Sequence, residues 1–163
     1  MSQYRQQAQL DVAIDDVWRL VGDVREHPKW WPRVVDVQCD GIEQGCHYRQ
    51  VTKHSIGKVK TTMCVEELEG CRQIMVRCLD TGMYGLWLLT EAQGGTFLDV
   101  EFGIDPASLP YRVFDVVAGK RYYRRWLEQS IEGLRRASAA SPGRATAQPP
   151  RPGAPPSSTT APG

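Results

Sequence analysis

The chain has 163 residues, 41% of them hydrophobic and 24% charged, with a formal net charge of +1. That balance fits one globular domain with one core and excludes a wholly disordered chain. It supplies no clustered positive charge for nucleic acid or acidic lipid, and no apolar run reaches the length of a membrane helix, so neither nucleic-acid binding nor integral membrane association is expected.

The opening "MSQYRQQAQL" lacks the basic-then-apolar order of a secretory signal, which predicts a cytoplasmic location. In "AQLDVAI", Ala8, Leu10, Val12 and Ile14 alternate with polar or small residues, the period-two mark of a half-buried strand. Asp15 or Asp16 is the candidate N-cap of a short helix, "DDVWRLVGDV", with Val17, Trp18, Val21 and Val24 at helical spacing. Pro28 and Pro32 stop that helix and enclose the adjacent Trp30 and Trp31 in "EHPKWWPRVVDV". His27, beside Pro28, reads as a turn residue.

Strand-like runs follow at 33–39, 46–54, 58–68, 72–79, 84–93 and 96–104. Turn signals separate them: Asp40 with Gly41, Gly45, Gly57, Gly70, Gly82, and the Gly94–Gly95 pair of a tight hairpin. With no helices between strands, the pattern predicts an antiparallel meander. Parity puts Val59, Thr61, Met63 and Val65 on the inner face, with Leu98, Val100, Phe102 and Ile104, and nominates Tyr48, Gln50 and Thr52 beside them. "YGLWLLTEAQ" stays ambiguous, because Trp87 with Leu89 and Leu86 with Leu88 are both apolar sets.

The ordered part closes with a predicted helix from near Ser108 to near Ala140. At roughly 100° per residue one stripe collects Val116, Gly119, Tyr123, Trp126, Leu127, Ser130, Leu134 and Ala137. Arg121, Arg124, Arg125, Glu128, Glu132, Arg135 and Arg136 take the opposite face, so "KRYYRR" reads as the solvated back of an amphipathic helix. From Ser138 the chain lacks aromatic and large aliphatic residues, and 141–163 is predicted to be a disordered tail rich in Pro, Ser and Ala. Residues 1–140 make the folded domain.

The five cysteines form no C-x-x-C pair and read as buried or half-buried free thiols. His27, His47 and His54 lack the spacing of helical metal ligands, and no nucleophile–base set can be located. No metal and no cofactor is expected, and the catalytic residues stay unassigned.

The N-terminal strand, the "VW" helix, "HPKWWPRVVDV", "GGTFLDVEF" and "WLEQSIEGLRR" together resemble the SRPBCC superfamily over roughly residues 3–138. This is the helix-grip group of START-related lipid carriers, the birch-pollen allergen and polyketide cyclases or dehydrases, and the polyketide cyclase/dehydrase-like set is the nearest in flavour. The resemblance implies an α+β helix-grip fold. A curved antiparallel sheet of about seven strands wraps the long C-terminal helix, two short helices follow strand 1, and a cavity lies under the helix. It implies a cavity end closed by the Trp30–Trp31 segment. Adjacent residues in an irregular segment point different ways, so one indole is expected in the core and the other at the cavity mouth. Core and lid packing explains both tryptophans equally well. Cyclases of this fold are implied to use an inner Arg or Tyr, for which Arg49, Arg77 and Tyr123 are the counterparts, yet parity turns both arginines outward.

The function expected is binding of a hydrophobic small molecule, lipid-, quinone- or polyketide-like, at Trp30, Trp31, Tyr48, Met63, Trp87, Phe102, Tyr111 and Tyr123. A polyketide aromatase/cyclase in the same cavity is the alternative. A protein-interaction module using the tail or an exposed sheet edge is the weaker one. An inward Arg49, Arg77 or Glu91 would favour the enzyme. The oligomeric state is left open between monomer and homodimer, and the tail's partner is unassigned.

Overall fold

A computed structural model describes residues 3–55, 57–105 and 120–140. Seven antiparallel strands, β1 (Gln3–Leu10), β2 (Val34–Gln38), β3 (His47–His54), β4 (Gly57–Glu69), β5 (Gln73–Cys78), β6 (Met83–Ala92) and β7 (Gly95–Ile104), form one sheet in the order β1-β7-β6-β5-β4-β3-β2. The helix α1 (Ile14–Val21) and a 3-10 helix (Val24–Lys29) follow β1, and α2 (Lys120–Ala140) closes the described chain. The alternating sequence accounts for the meander, since each strand buries one face against a common core. Register shifts between Val34 and Asp36 and between Val65 and Glu67 add residues on one side of a ladder, which bends and twists the strands there.

The first strand lies earlier than expected, and Ile14 begins α1 instead of ending β1. The pairing runs from Gln3 opposite Gly103 to Leu10 opposite Thr96, and Thr96 Oγ1 then donates to the Val12 carbonyl at 2.7 Å, drawing the chain off the ladder. Nor is Asp15 or Asp16 the N-cap. Ala13 holds that place without a side-chain cap, and the two carboxylates sit in the first turn, where they complement the helix dipole.

On α2 the predicted stripe holds over the described turns. Tyr123, Leu127, Ser130 and Leu134 are buried, joined by Ile131, which the stripe omitted. Its expected first turns, with Val116, Gly119 and the site candidate Tyr111, lie outside the described residues, as does the expected tail 141–163. A Cβ on Gly133 would lie 2.1 Å from the Trp30 carbonyl oxygen, so only glycine lets α2 seat this closely on the tryptophan segment. β6 resolves toward Trp87 and Leu89, both buried, with Leu86 and Leu88 half-buried on the other face. Among the described residues no helix is long and apolar enough to cross a membrane.

Candidate functional site

The site begins at the tryptophan pair. The 3-10 helix ends in a tight turn in which the Trp30 and Trp31 amides both donate to the His27 carbonyl, at 3.2 and 2.7 Å. That turn sends both indoles inward, and they are 4% and 3% exposed, stacked at 5.6 Å with 4° between planes. Neither indole stands at an open mouth, as one was expected to, because the shared acceptor turns both inward; Trp30 packs in the core and Trp31 borders the cavity from within. Trp30 Nε1 donates to the Leu20 carbonyl at 2.8 Å, which ties the segment to α1.

Trp31 lies between Trp30 and Trp126 of α2, the latter at 5.7 Å and 17°. Trp87 meets Trp30 and Trp31 edge-on at 5.0 and 6.3 Å. His27 does the same from the other side at 5.2 and 4.9 Å, and it is a core residue instead of an exposed turn residue. Its Nε2 lies 3.0 Å from the Val21 carbonyl, an acceptor that selects the Nε2–H tautomer and leaves Nδ1 unpartnered among the rings. Burial disfavours the imidazolium and holds the His27 pKa down to about 4.

Beyond this aromatic plug, a cavity of about 650 Å³ opens between the sheet and α2. Trp31 and Trp126 form its floor, Gln50, Thr52 and His54 of β3 one wall, and Val59, Thr61 and Met63 of β4 the next. Val76 and Cys78 of β5 continue it, Thr81 and Met83 border the β5–β6 turn, and Arg33 and Tyr122 stand at the rim. Thr61 Oγ1 donates to the Gln50 carbonyl at 3.4 Å, while the buried Gln50 Oε1 has no partner.

Of the predicted site residues, Trp31 and Met63 line the cavity. Trp30, Tyr48, Trp87, Phe102 and Tyr123 are buried in the packed core instead. All five face inward, Tyr48 and Phe102 by strand parity and Tyr123 by its place on the helix stripe, but they lie where side chains already fill the space. Tyr48 is enclosed with its hydroxyl unpartnered, and burial raises its pKa. Val76 and Cys78 were readable from the alternation of Ile74, Val76 and Cys78. Arg33, His54 and Tyr122 carried no signal in the sequence pattern.

The candidate charges for catalysis stay outside. Arg49 and Glu91 are exposed, and Arg77 lies on the outer face, its Nε 2.5 Å from Glu66 Oε1 and its guanidinium 5.2 Å from the Tyr84 ring centroid. The hydrogen bond that Arg77 donates to Glu66 is the largest influence raising the Arg77 pKa. The cysteines are free, Cys78 buried and the others half-buried. Burial pushes the Cys39, Cys64 and Cys71 thiols up, away from thiolate. Among the described residues no cluster of three His, Cys, Asp or Glu side chains could hold a metal ion.

With this arrangement in view, one family profile, described as polyketide cyclase / dehydrase and lipid transport, matches residues 1–139. The chain belongs to that family. No curated protein matches it. Solved structures of similar fold include a Nitrosomonas europaea protein, 15% identical with a TM-score of 0.68, the match covering 85% of this chain and 95% of that one. An AHSA1-like protein from Aeromonas hydrophila is 14% identical with a TM-score of 0.62, covering 86% and 94%. The di-domain ARO/CYC StfQ from the steffimycin biosynthetic pathway is 20% identical with a TM-score of 0.64, covering 86% of this chain and 50% of StfQ. At these identities the likeness to solved structures shows the fold alone, the SRPBCC-type family resting on the profile match, and the cavity of this member must be read from its own residues.

Proposed function

We propose that the protein binds a hydrophobic small molecule, lipid-, quinone- or polyketide-like, in the cavity between β3–β5 and α2. The observation that carries this reading is the cavity itself. Its roughly 650 Å³ matches the size of small-molecule sites, and a mostly apolar wall with a few polar groups is their usual chemistry. Met63, Val76, Cys78 and Met83 supply the apolar contact, and Gln50, Thr52 and Thr61 can orient one polar group of the ligand. Trp31 is buried at the cavity wall while Arg33, Ser55 and Val59 are exposed there, which favours entry on their side.

Aromatase or cyclase action in the same space is the lesser reading. The charged residues expected to carry it lie elsewhere, Arg49 and Glu91 being exposed and Arg77 paired outside with Glu66, which leaves His54 as the one imidazole in the described lining. Titration with the neutral apolar dye N-phenyl-1-naphthylamine tests the site. One saturable site is expected in the wild type, and Thr61→Trp, which fills the cavity from β4, should weaken it by about tenfold or more. Equal binding by both proteins would place the dye elsewhere and refute the reading.

A further inference from the structure

The rim of the cavity is cationic and strained. Arg33 adopts a φ of 71°, the left-handed region that costs a residue with a Cβ roughly 1 kcal/mol or more. The turn is pinned on both sides, Val34 N donating to the Trp31 carbonyl at 3.2 Å and Lys53 N to the Arg33 carbonyl at 2.7 Å. A glycine or asparagine would fit that backbone more easily. The arginine instead carries a guanidinium to the cavity wall, where Nη1 lies 3.3 Å from the Tyr122 hydroxyl and 5.7 Å separates the guanidinium from that ring's centroid.

Among the described residues no carboxylate pairs with this charge. Among the described residues the cavity lining contains Arg33 and His54 and no Asp or Glu. On the same hairpin, Lys53 stands directly opposite Lys58, and Lys60 opposite Val51, all three lysines exposed on the outer face of the strands whose inner face, at Thr52, His54, Val59 and Thr61, lines the cavity. Like charges opposite one another destabilise a ladder. None of the ion pairs among the described residues relieves them. The acids of adjoining segments are engaged otherwise, Asp36 with Gln38 Nε2 and Asp80 with the Thr62 amide. Such an unbalanced set beside a low-dielectric opening focuses positive potential where a ligand enters.

We propose that the ligand is an amphipathic carboxylic acid, its apolar body against Met63 and Val76 and its carboxylate at the mouth on the Arg33 guanidinium. This rests on the cavity being a binding site. The guanidinium supplies only donors and can meet a carboxylate with two of them, while Lys53, Lys58 and Lys60, on the outer face of the same hairpin, add only a longer-range, salt-screened attraction for the anion.

The test is a matched pair, decanoate and decanol, titrated into the full chain at low and high salt and read by tryptophan fluorescence. Decanoate should bind about tenfold more tightly than decanol at low salt, less so at high salt. In Arg33→Gln the two should come within about twofold of each other. Arg33→Gly, which removes the charge and relieves the backbone together, should behave like Arg33→Gln and melt no earlier than wild type, separating lost recognition from lost folding. Equal affinity of acid and alcohol for the wild type would overturn the proposal and leave the cavity reading standing. An acid preference that survives in both variants would overturn the assignment to Arg33. Binding of neither compound would refute the cavity reading and the proposal with it.

Discussion

Gly133→Ala sets two physical arguments against each other. Helix propensity alone favours alanine over glycine in the middle of α2 by about 1 kcal/mol. Against that, the added Cβ would lie 2.1 Å from the Trp30 carbonyl oxygen and 3.2 Å from its carbon. Both neighbours are backbone, so no side-chain rotation clears the contact, and α2 or the tryptophan turn must move by about an ångström. Overpacking of this kind costs roughly 1–3 kcal/mol, and here it should fall at the upper end because the turn is held by the Trp30–Leu20 hydrogen bond and the indole stack. The net expectation is a loss of about 1–2 kcal/mol. Urea unfolding followed by tryptophan fluorescence measures it, with Gly41→Ala as the control, since a Cβ there meets nothing within 4 Å. A Gly133→Ala protein as stable as wild type, or more so, would refute the close seating of α2 on Trp30.

The buried neutral His27 makes stability depend on pH. Its folded pKa, about 4, lies below the ordinary 6.5, so between these values the unfolded chain binds the proton and the folded one does not. Stability should therefore be full above pH 6.5 and fall toward pH 4, by about 3 kcal/mol in all. Urea midpoints between pH 7 and 4 check this, and His27→Gln should remove most of that slope. Trp30→Phe keeps a ring in the stack but strips the Leu20 carbonyl of its buried donor, for an expected loss of about 1–3 kcal/mol on chemical unfolding. Trp31→Ala, which opens the cavity floor, should destabilise by about 3–5 kcal/mol, and its dye binding should change, whereas Trp30→Phe should leave dye affinity nearly unaltered.

The alternation of Leu98, Val100, Phe102 and Ile104 was legible because β7 pairs on both sides and Asp99 and Glu101 mark its other face, so a period of two has one solution. β6 was not, because its outer face carries half-buried Leu86 and Leu88, and only the fold decides that Trp87 turns in. Parity assigns a face but no position along the strand. Nor does it say whether the space in front of a residue is filled: Met63 lines the cavity while Tyr48, its partner in register at the same level of the sheet, sits in packed core. The shared facing of Trp30 and Trp31 depends on two amides bonding one carbonyl, and the placing of Arg33 on a left-handed backbone, neither of which has a periodic signature.

The central claim is that the cavity under α2 holds a small apolar molecule. Native mass spectrometry of the protein purified from its own host, followed by denaturation and identification of what is released, tests it most directly. A hydrophobic compound at one per chain, absent from Thr61→Trp prepared in the same way, is the result the account predicts. A protein that comes out empty, with tryptophan fluorescence unmoved by lipids, quinones and aromatic polyketides, would contradict it and leave the indole stack as core alone.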